Sequence, residues 1–335
     1  MTIHNGSHEY QPRPPLQRVN RRNPCPECSK FDGCMFADDR TLCIRKPSAK
    51  PVCGGLGGWW HFYEFNDPPP KVTIPKVKPK PVERASVEHV DAVLTTLLRE
   101  HLTLSDEHER KLMARGLSLE EIVQNGYASA PDASEGRRIA RELSDFGLDG
   151  VPGFHKYGGE WHMRDYGAGF FVPVRDERSR IAGLQLRRDE GEPRYIWFSS
   201  NGYPCGTSSG APIHYARPHL LYDATEVLLT EGALKADVAS YFTDAPVIAA
   251  AGVHNFGRDF AATLREKFPN LRTTIISFDS DWRTKPQVKV ALEKLMRDLA
   301  GAGFKVRVRT WPPEYKGLDD YLLAFSQSNV KGVAA

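Results

Sequence analysis

The sequence predicts a multidomain α+β protein, because three blocks of different composition follow one another along its 335 residues. Five of the six cysteines lie within the first 53 residues. Between residues 86 and 221, apolar residues first recur at helical spacing and then alternate with a period of two. From residue 226, short β-branched runs alternate with helical patterns, which predicts βαβ units and a parallel sheet. We therefore expect a cysteine-rich domain at 22–65, a linker at 66–85, a helical and antiparallel-strand subdomain at 86–221 and an α/β domain at 222–328.

The overall composition excludes several classes of protein. The 45 basic residues are nearly matched by 42 acidic ones, so any surface that binds nucleic acid has to be local. No apolar run approaches the roughly 20 residues that span a bilayer, and the polar, proline-rich start lacks the apolar core of a secretory signal. The sequence thus predicts a soluble, cytoplasmic protein without a membrane partner.

The linker and the middle block are recognised from their residue types. Prolines in NDPPPKVTIPKVKPKPVE remove backbone donors and favour an extended spacer. The runs VEHVDAVLTTLLREH and SDEHERKLMARGLSLEEIVQNGYAS predict helices, and Ser118 followed by Glu121 predicts a capping box. The runs GFFVPVRD, RIAGLQLRR and RYIWFSS predict an antiparallel meander.

The first block carries the spacing of a metal site. Cys25, Cys28, Cys34 and Cys43 supply four soft thiolates in two knuckles, which suits one closed tetrahedral zinc ion. Because the block is too small to build a core of its own, the zinc would be structural. Together with the GGWWHF run that follows, the pattern predicts a zinc ribbon.

Two features leave alternatives open in this block. Cys53 and His61 are rival ligands for the same ion. Four thiolates also suit an iron–sulfur cluster, which remains the main competitor to zinc.

Acidic residues follow three strands of the predicted parallel sheet. Glu231 ends the strand EVLLT, Asp279 and Asp281 follow TTIISF, and Lys316–Tyr321 follow FKVRVRT. Ligands of open α/β sheets bind at the carboxyl ends of strands, so these carboxylates should converge. Clustered carboxylates repel one another unless a hard cation joins them, which predicts Mg²⁺ or Mn²⁺ at Glu231, Asp279 and Asp281. Such an ion would orient triphosphates.

The order strand–Glu–Gly–helix and strand–Asp–x–Asp resembles the TOPRIM domain of primases, topoisomerases and related nucleases. The resemblance covers residues 226–324 and implies that Glu231 is a general acid or base and that Asp279 and Asp281 hold metal. KGLDDYL is similar to the motif that closes this domain in primases, and MARGLSLEEIVQNGYAS is similar to their Arg-Gly-Leu-Ser segment. FFVPVRDERSRIAGLQLRR…RYIWFSS…GAPIHYA resembles their strand-rich subdomain. With the cysteine ribbon, the likeness is collinear with bacterial-type primases, above all those of plasmids, phages and integrated elements.

The sequence departs from that family at the first helix of the α/β domain. The family commonly has an acidic residue four positions after the glutamate, where this chain has Lys235 and then Asp237. One metal ligand is therefore lost or replaced, and Lys235 is a candidate phosphate contact. No Walker-type motif is present, so a replicative helicase would act as a separate partner.

Template binding is expected on the meander. Arginines there are interleaved with aromatic residues, a mixture that suits phosphate contacts and base stacking, and Arg194 is one candidate. The resemblance to primases implies that Arg187 and Arg188 are the foremost candidates. Hairpin arginines that pair with neighbouring carboxylates are the competing interpretation.

The leading hypothesis is a DNA primase that makes short primers on single-stranded DNA from NTPs or dNTPs. The alternatives are a TOPRIM nuclease and a non-catalytic DNA-binding replication protein, and Lys235 keeps the latter open.

Overall fold

The computed structural model describes residues 14–52, 57–63 and 82–333, except for the side chains of residues 281, 282 and 327–333. Cys53 and most of the expected linker lie outside those residues. The chain divides into two compact units, Met1–Val77 and Lys78–Ala335. None of the described helices is both long and apolar enough to cross a bilayer.

The first unit contains a four-stranded antiparallel sheet in the order β1-β2-β3-β4. The strands are β1 (Gln17–Arg18), β2 (Met35–Ala37), β3 (Arg40–Cys43) and β4 (Trp59–Phe62). Its one buried cluster among the described residues consists of Val19 and three cysteines, with Phe36 packed against them, and Ala37 and Leu42 are the other buried apolar side chains there. So few apolar side chains cannot offset the entropy of ordering the chain, so this unit needs a further source of folding free energy.

The second unit begins with helices whose starts the sequence encodes. They are α1 (Val87–Thr96), α2 (Asp106–Met113), α3 (Leu119–Asn125) and α4 (Ala133–Glu142), with a π-helical turn at Leu97–His101. Each α-helix has a Ser or Asp at its N-cap whose side chain accepts a backbone N–H of the first turn. The predicted capping box is half formed: Ser118 Oγ accepts the N–H of Glu121 at 3.2 Å, but the Glu121 carboxylate pairs with Arg217 at 3.2 Å.

The predicted meander forms three consecutive strands of a four-stranded antiparallel sheet in the order β10-β9-β8-β5. The strands are β5 (Ala128–Ser129), β8 (Gly169–Arg175), β9 (Ile181–Arg188) and β10 (Tyr195–Trp197). A separate hairpin, β6 (Phe154–Tyr157) and β7 (Glu160–Met163), and helix α4 are not predicted from the sequence.

A five-stranded mixed sheet forms the second half of this unit, in the order β11-β13-β12-β14-β15. The predicted alternation is confirmed: β12, β13, β14 and β15 are parallel to their neighbours within this group. Strand β11 differs from the prediction: the sequence places it in the preceding subdomain, whereas in the structure it pairs antiparallel with β13. The elements are β11 (His214–Ala216), β12 (Glu226–Glu231), α5 (Ala233–Thr243), β13 (Val247–Ala250), α6 (Phe260–Lys267), β14 (Thr273–Ile276), α7 (Pro286–Gly301), β15 (Lys305–Val308) and α8 (Leu318–Val333).

Helix α5 is fixed between the two sheets. Leu234 and Val238 of this helix pack in one buried cluster with Phe170 and Val172 of β8. On the same helix, Asp237 is 4% exposed and accepts hydrogen bonds from the Tyr127 hydroxyl at 2.7 Å and from His214 Nε2 at 2.9 Å. A buried carboxylate with two donors ties the helix to β11 and to the residue before β5.

Replacing Asp237 with Ala should lower the free energy of unfolding by about 3 kcal/mol, because the Tyr127 hydroxyl and the His214 ring lose a buried partner. Urea denaturation measures the change. The matched control is Asp298→Ala on α7, whose carboxylate is 34% exposed and pairs with Lys294 in the same helix; it should cost less than about 1 kcal/mol. Equal losses for the two variants would contradict a structural role for Asp237.

Candidate functional site

The four predicted cysteines of the first unit come together in one cluster. Their Sγ atoms all lie within 4.8 Å of one another. The Sγ of Cys34 is 3.8 Å from that of Cys28 and 3.9 Å from that of Cys43. Zinc–sulfur bonds of about 2.3 Å at tetrahedral angles place sulfur atoms about 3.8 Å apart, so the cluster fits a zinc ion.

The surroundings of the sulfur atoms also suit thiolate ligands. Burial raises the pKa of Cys25 and of Cys34, so these sulfurs carry charge only when a cation compensates it. Outer donors are already in place: the backbone N–H of Lys46 points at Cys43 Sγ at 3.2 Å, and Arg45 Nη1 lies 3.8 Å from Cys34 Sγ. Such donors orient and stabilise metal-bound thiolates.

The rival ligand His61 is engaged elsewhere. Its Nδ1 lies 3.3 Å from Glu27 Oε2, and its Nε2 lies 3.1 Å from the carbonyl oxygen of Lys46. The Tyr63 hydroxyl donates to the other oxygen of Glu27 at 2.7 Å. His61 therefore links β4 to Glu27 and Lys46, and Cys53, the other rival, lies outside the described residues.

A cavity of about 890 Å³ opens in the second unit, between the antiparallel sheet and the carboxyl edge of the mixed sheet. This volume lies within the range of sites that enclose a nucleotide-sized ligand. One wall carries carboxylates and two partly buried cations. The opposite wall is formed by side chains of β9 and β10.

The acidic wall is built from three segments that are far apart in the sequence. Glu231 ends β12, Asp279 follows β14, and Asp319 and Asp320 lie at the start of α8. The backbone N–H of Asp279 donates to Glu231 Oε1 at 3.0 Å, which ties two of the segments together. All four carboxylates line the cavity, as the sequence predicts for strand ends of a parallel sheet.

Asp281, the third predicted ligand, lies in a 3-10 helix at Ser280–Arg283 that directly follows Asp279. Its backbone is therefore at the acidic wall, and its side chain is outside what the structure describes.

Gly317 lets the third segment approach the others. A Cβ at this position would lie 2.5 Å from Asp319 Oδ1 and 3.1 Å from Asp279 Oδ1. The residue's N–H donates to Asp320 Oδ2 at 3.2 Å, and the carbonyl of Lys316 accepts the N–H of Ser280 at 3.1 Å. Any side chain at Gly317 would push the carboxylates apart.

Two cations lie among the carboxylates. Lys235, on the first turn of α5, pairs with Asp279 through its Nζ atom. Burial alone would lower the pKa of Lys235, but the carboxylates of Asp279, Asp319 and Glu231 outweigh it and raise that pKa above its ordinary value. Lys235 is thus a charged ammonium within the site.

Arg115 is the second cation, and it is not among the site residues predicted from the sequence. Its Nη2 lies 2.6 Å from Asp319 Oδ2. Gly116, with φ +93°, ends the helical segment just after it, and a side chain there would clash with Phe242 at 2.4 Å. The signal was present in the Arg-Gly-Leu-Ser segment, where only Gly permits the turn that directs Arg115 to the acidic wall.

Asp237 is not a replacement ligand. Its hydrogen bonds to Tyr127 and His214 commit the carboxylate to the interior, and it does not line the cavity. The acidic position that the resemblance implies is therefore filled by Lys235, with no nearby carboxylate on α5 to compensate among the described side chains.

Of the three predicted arginines, Arg187 and Arg194 line the cavity at the opposite wall and Arg188 does not. Side chains alternate along a strand, so Gln185 and Arg187 of β9 face the cavity, together with their partners Trp197 and Tyr195 of β10. Arg188 has the opposite orientation and does not line the cavity.

Arg187 and Arg194 therefore belong to the cavity. Arg187 Nη1 is buried and has no hydrogen-bond partner in the structure, and its guanidinium lies 5.5 Å from the Phe170 ring. Arg194 lines the rim, and its Nη1 donates to the carbonyl of Asp189 at 2.8 Å.

Purified protein should contain about one zinc per chain, because four thiolates close one tetrahedral site. Cys28→Ser should lose this metal and unfold the first unit, while Cys205→Ser, a cysteine outside the cluster, should keep it. Elemental analysis gives the metal content. Iron with visible absorbance, or unchanged zinc in Cys28→Ser, would contradict the assignment.

One family model matches part of the second unit. Residues 220–329, which contain all three acidic segments, match a family described as "Domain of unknown function (DUF3854)". No curated protein matches this chain in sequence.

Several solved structures share the fold. The zinc-binding and RNA polymerase domains of the Aquifex aeolicus primase align with a TM-score of 0.57 and 19% identity, over 74% of this chain and 60% of that one. A DnaG primase catalytic domain bound to single-stranded DNA aligns with a TM-score of 0.54 and 15% identity, over 73% and 77%. The RNA polymerase domain of Mycobacterium tuberculosis DnaG aligns with a TM-score of 0.55 and 16% identity, over 72% and 82%. The predicted resemblance is therefore confirmed at the level of structure: this chain has the fold of DnaG-type primases.

Proposed function

We propose that the cavity is the active centre of a primase-like nucleotidyltransferase, which makes short primers on single-stranded DNA with Mg²⁺ or Mn²⁺. The observation that carries the proposal is the meeting of Glu231, Asp279 and Asp319 at one wall of a nucleotide-sized cavity whose other wall is basic and aromatic. The shared fold with primase domains supports it. On this proposal the mixed sheet is a TOPRIM domain.

The acidic wall has the donor set that a hard divalent ion requires. Carboxylate oxygens from separate strands meet there, and soft sulfur or imidazole ligands are missing among the described lining residues. Asp279 and Asp281 would hold the ion, with Asp319 as a further oxygen donor. When bound, the ion supplies neutralisation of phosphate charge and orientation of the triphosphate.

The chain's own groups perform the remaining steps. Glu231, fixed by the backbone N–H of Asp279, would accept the proton of the attacking 3′-hydroxyl. The oxygen then forms a bond to the α-phosphorus of the incoming NTP or dNTP, and the bond to the β-phosphate breaks to release pyrophosphate. Lys235 lies beside the same carboxylates in the cavity lining, so its ammonium would contact a phosphate oxygen of a nucleotide bound there.

The basic wall would hold the template. Arg187 lines this wall and its buried Nη1 has no hydrogen-bond partner, and Tyr195 and Trp197 beside it offer faces for base stacking. We also propose that the protein works with a replicative helicase that is a separate chain. The DNA that it copies would belong to a mobile element.

Primer synthesis tests the catalytic assignment. With single-stranded DNA of mixed sequence, labelled NTPs or dNTPs and Mg²⁺ or Mn²⁺, the protein should make short labelled oligomers. Glu231→Gln and Asp279→Asn should reduce the rate on the order of 100-fold or more while remaining folded, because they remove proton transfer and a metal ligand. Glu226→Gln, at the exposed start of the same strand, is the matched control and should stay active.

The other outcomes of this assay are equally informative. Template breakage that Glu231→Gln abolishes would identify a nuclease in place of a primase. DNA binding without either product, with both metals and with a helicase added, would identify a non-catalytic protein.

Arg187 and Arg188 form a matched pair for template binding, because they are adjacent on β9 and face opposite sides. Arg187→Ala should weaken binding of single-stranded DNA about tenfold and reduce the slope of log K against log salt by about 0.7. Arg188→Ala should stay near wild type. Fluorescence anisotropy over a NaCl series measures both, and equal losses would show that the cavity wall does not hold the template.

A further inference from the structure

Lys235 occupies a place in the acidic wall that is unusual for a lysine. It lies in the first turn of α5, where the positive end of the helix dipole disfavours a cation, and that turn has no acidic residue. Its side chain is only 16% exposed. An ammonium in this position has to be stabilised by strong local negative charge, and the contact with Asp279 supplies it.

The ammonium lies where carboxylates of two segments meet. The point at which a Gly317 side chain would begin is 2.5 Å from Asp319 Oδ1, 3.1 Å from Asp279 Oδ1 and 3.4 Å from Lys235 Cε. The lysine side chain therefore reaches the centre of the carboxylate cluster, and not its rim. In a metal-dependent site, that centre is where cations join carboxylates that would otherwise repel one another.

A second feature fixes the other side of the cluster. Arg115 holds Asp319 Oδ2 at 2.6 Å and is itself largely buried. Two divalent ions that bridge a reaction centre lie about 4 Å apart and share carboxylate oxygens. Here the Lys235 ammonium already binds Asp279 Oδ1, and a divalent ion sharing that oxygen would be strongly repelled, because charges in a partly buried site are poorly screened.

We infer that Lys235 takes the place of one divalent ion, so that the site binds a single Mg²⁺ or Mn²⁺ beside a permanent protein cation. The inference rests on the proposed function, because it concerns the metal content of the same site. The fixed ammonium performs part of what a second ion would do: it neutralises Asp279 and offers a cation to a phosphate oxygen.

Titration of the full-length, zinc-loaded chain with Mn²⁺ tests this directly, since the paramagnetic resonance signal of free Mn²⁺ counts the ions that bind. Wild type should bind one Mn²⁺ per chain. Lys235→Asp, which restores a carboxylate in place of the ammonium, should bind two. Lys316→Asp makes the same change of charge at an exposed residue of the same cavity and should still bind one.

A neutral variant keeps the test decisive if the added carboxylate of Lys235→Asp prevents folding. Lys235→Met retains the length of the side chain and releases Asp279, so the apparent Kd for Mn²⁺ should fall at least tenfold. Lys316→Met should change it less than twofold.

Each remaining outcome overturns the inference. If wild type binds two Mn²⁺ ions and makes primers, Lys235 does not replace an ion, but the proposed function is still supported. If wild type binds no Mn²⁺ and makes no primer, both the inference on Lys235 and the proposed function are contradicted. A second ion in Lys316→Asp as well as in Lys235→Asp would show that only the overall charge of the cavity matters.

Discussion

The mutual repulsion of carboxylates at the carboxyl edge of the mixed sheet is the constraint on which the site depends. Parallel strands deliver Glu231 and Asp279 to the same edge, and Gly317 allows the start of α8 to add Asp319. Cations from two further elements offset this charge: Lys235 from α5 and Arg115 from the end of α2. The packing of α5 against β8 fixes the position from which the lysine reaches the carboxylates.

The two units differ in their main source of folding free energy. The second unit buries large apolar clusters on the faces of its sheets, so hydrophobic burial is its main source of folding free energy. The first unit has a core of Val19 and cysteines, and metal binding by Cys25, Cys28, Cys34 and Cys43 would replace the missing burial. Loss of the metal should for this reason affect one unit and spare the other.

The sequence predicts most of the fold because its periodicities are strong where elements are buried. The strands around Glu231 and Asp279 follow from β-branched runs, and their convergence follows from topology alone. The Arg-Gly-Leu-Ser segment marks a turn beside Arg115, but the pairing of Arg115 with Asp319, 204 residues away, depends on tertiary packing and cannot be read from the sequence. Strand β11 was misplaced because three residues carry no periodicity, and Arg187 could not be separated from Arg188 until pairing with β10 fixed which side faces the cavity.

The central claim is that a divalent ion binds where the three acidic segments meet, and metal-directed cleavage tests it most directly. Fe²⁺ exchanged into the site, with ascorbate and peroxide, generates hydroxyl radicals that cut the backbone only within a few ångströms of the ion. The fragments should end near Glu231, near Asp279 and near Gly317, three places that are distant in the sequence, and Asp279→Asn should abolish all three cuts together. Cleavage confined to other segments, or cuts that persist unchanged in Asp279→Asn, would contradict the claim.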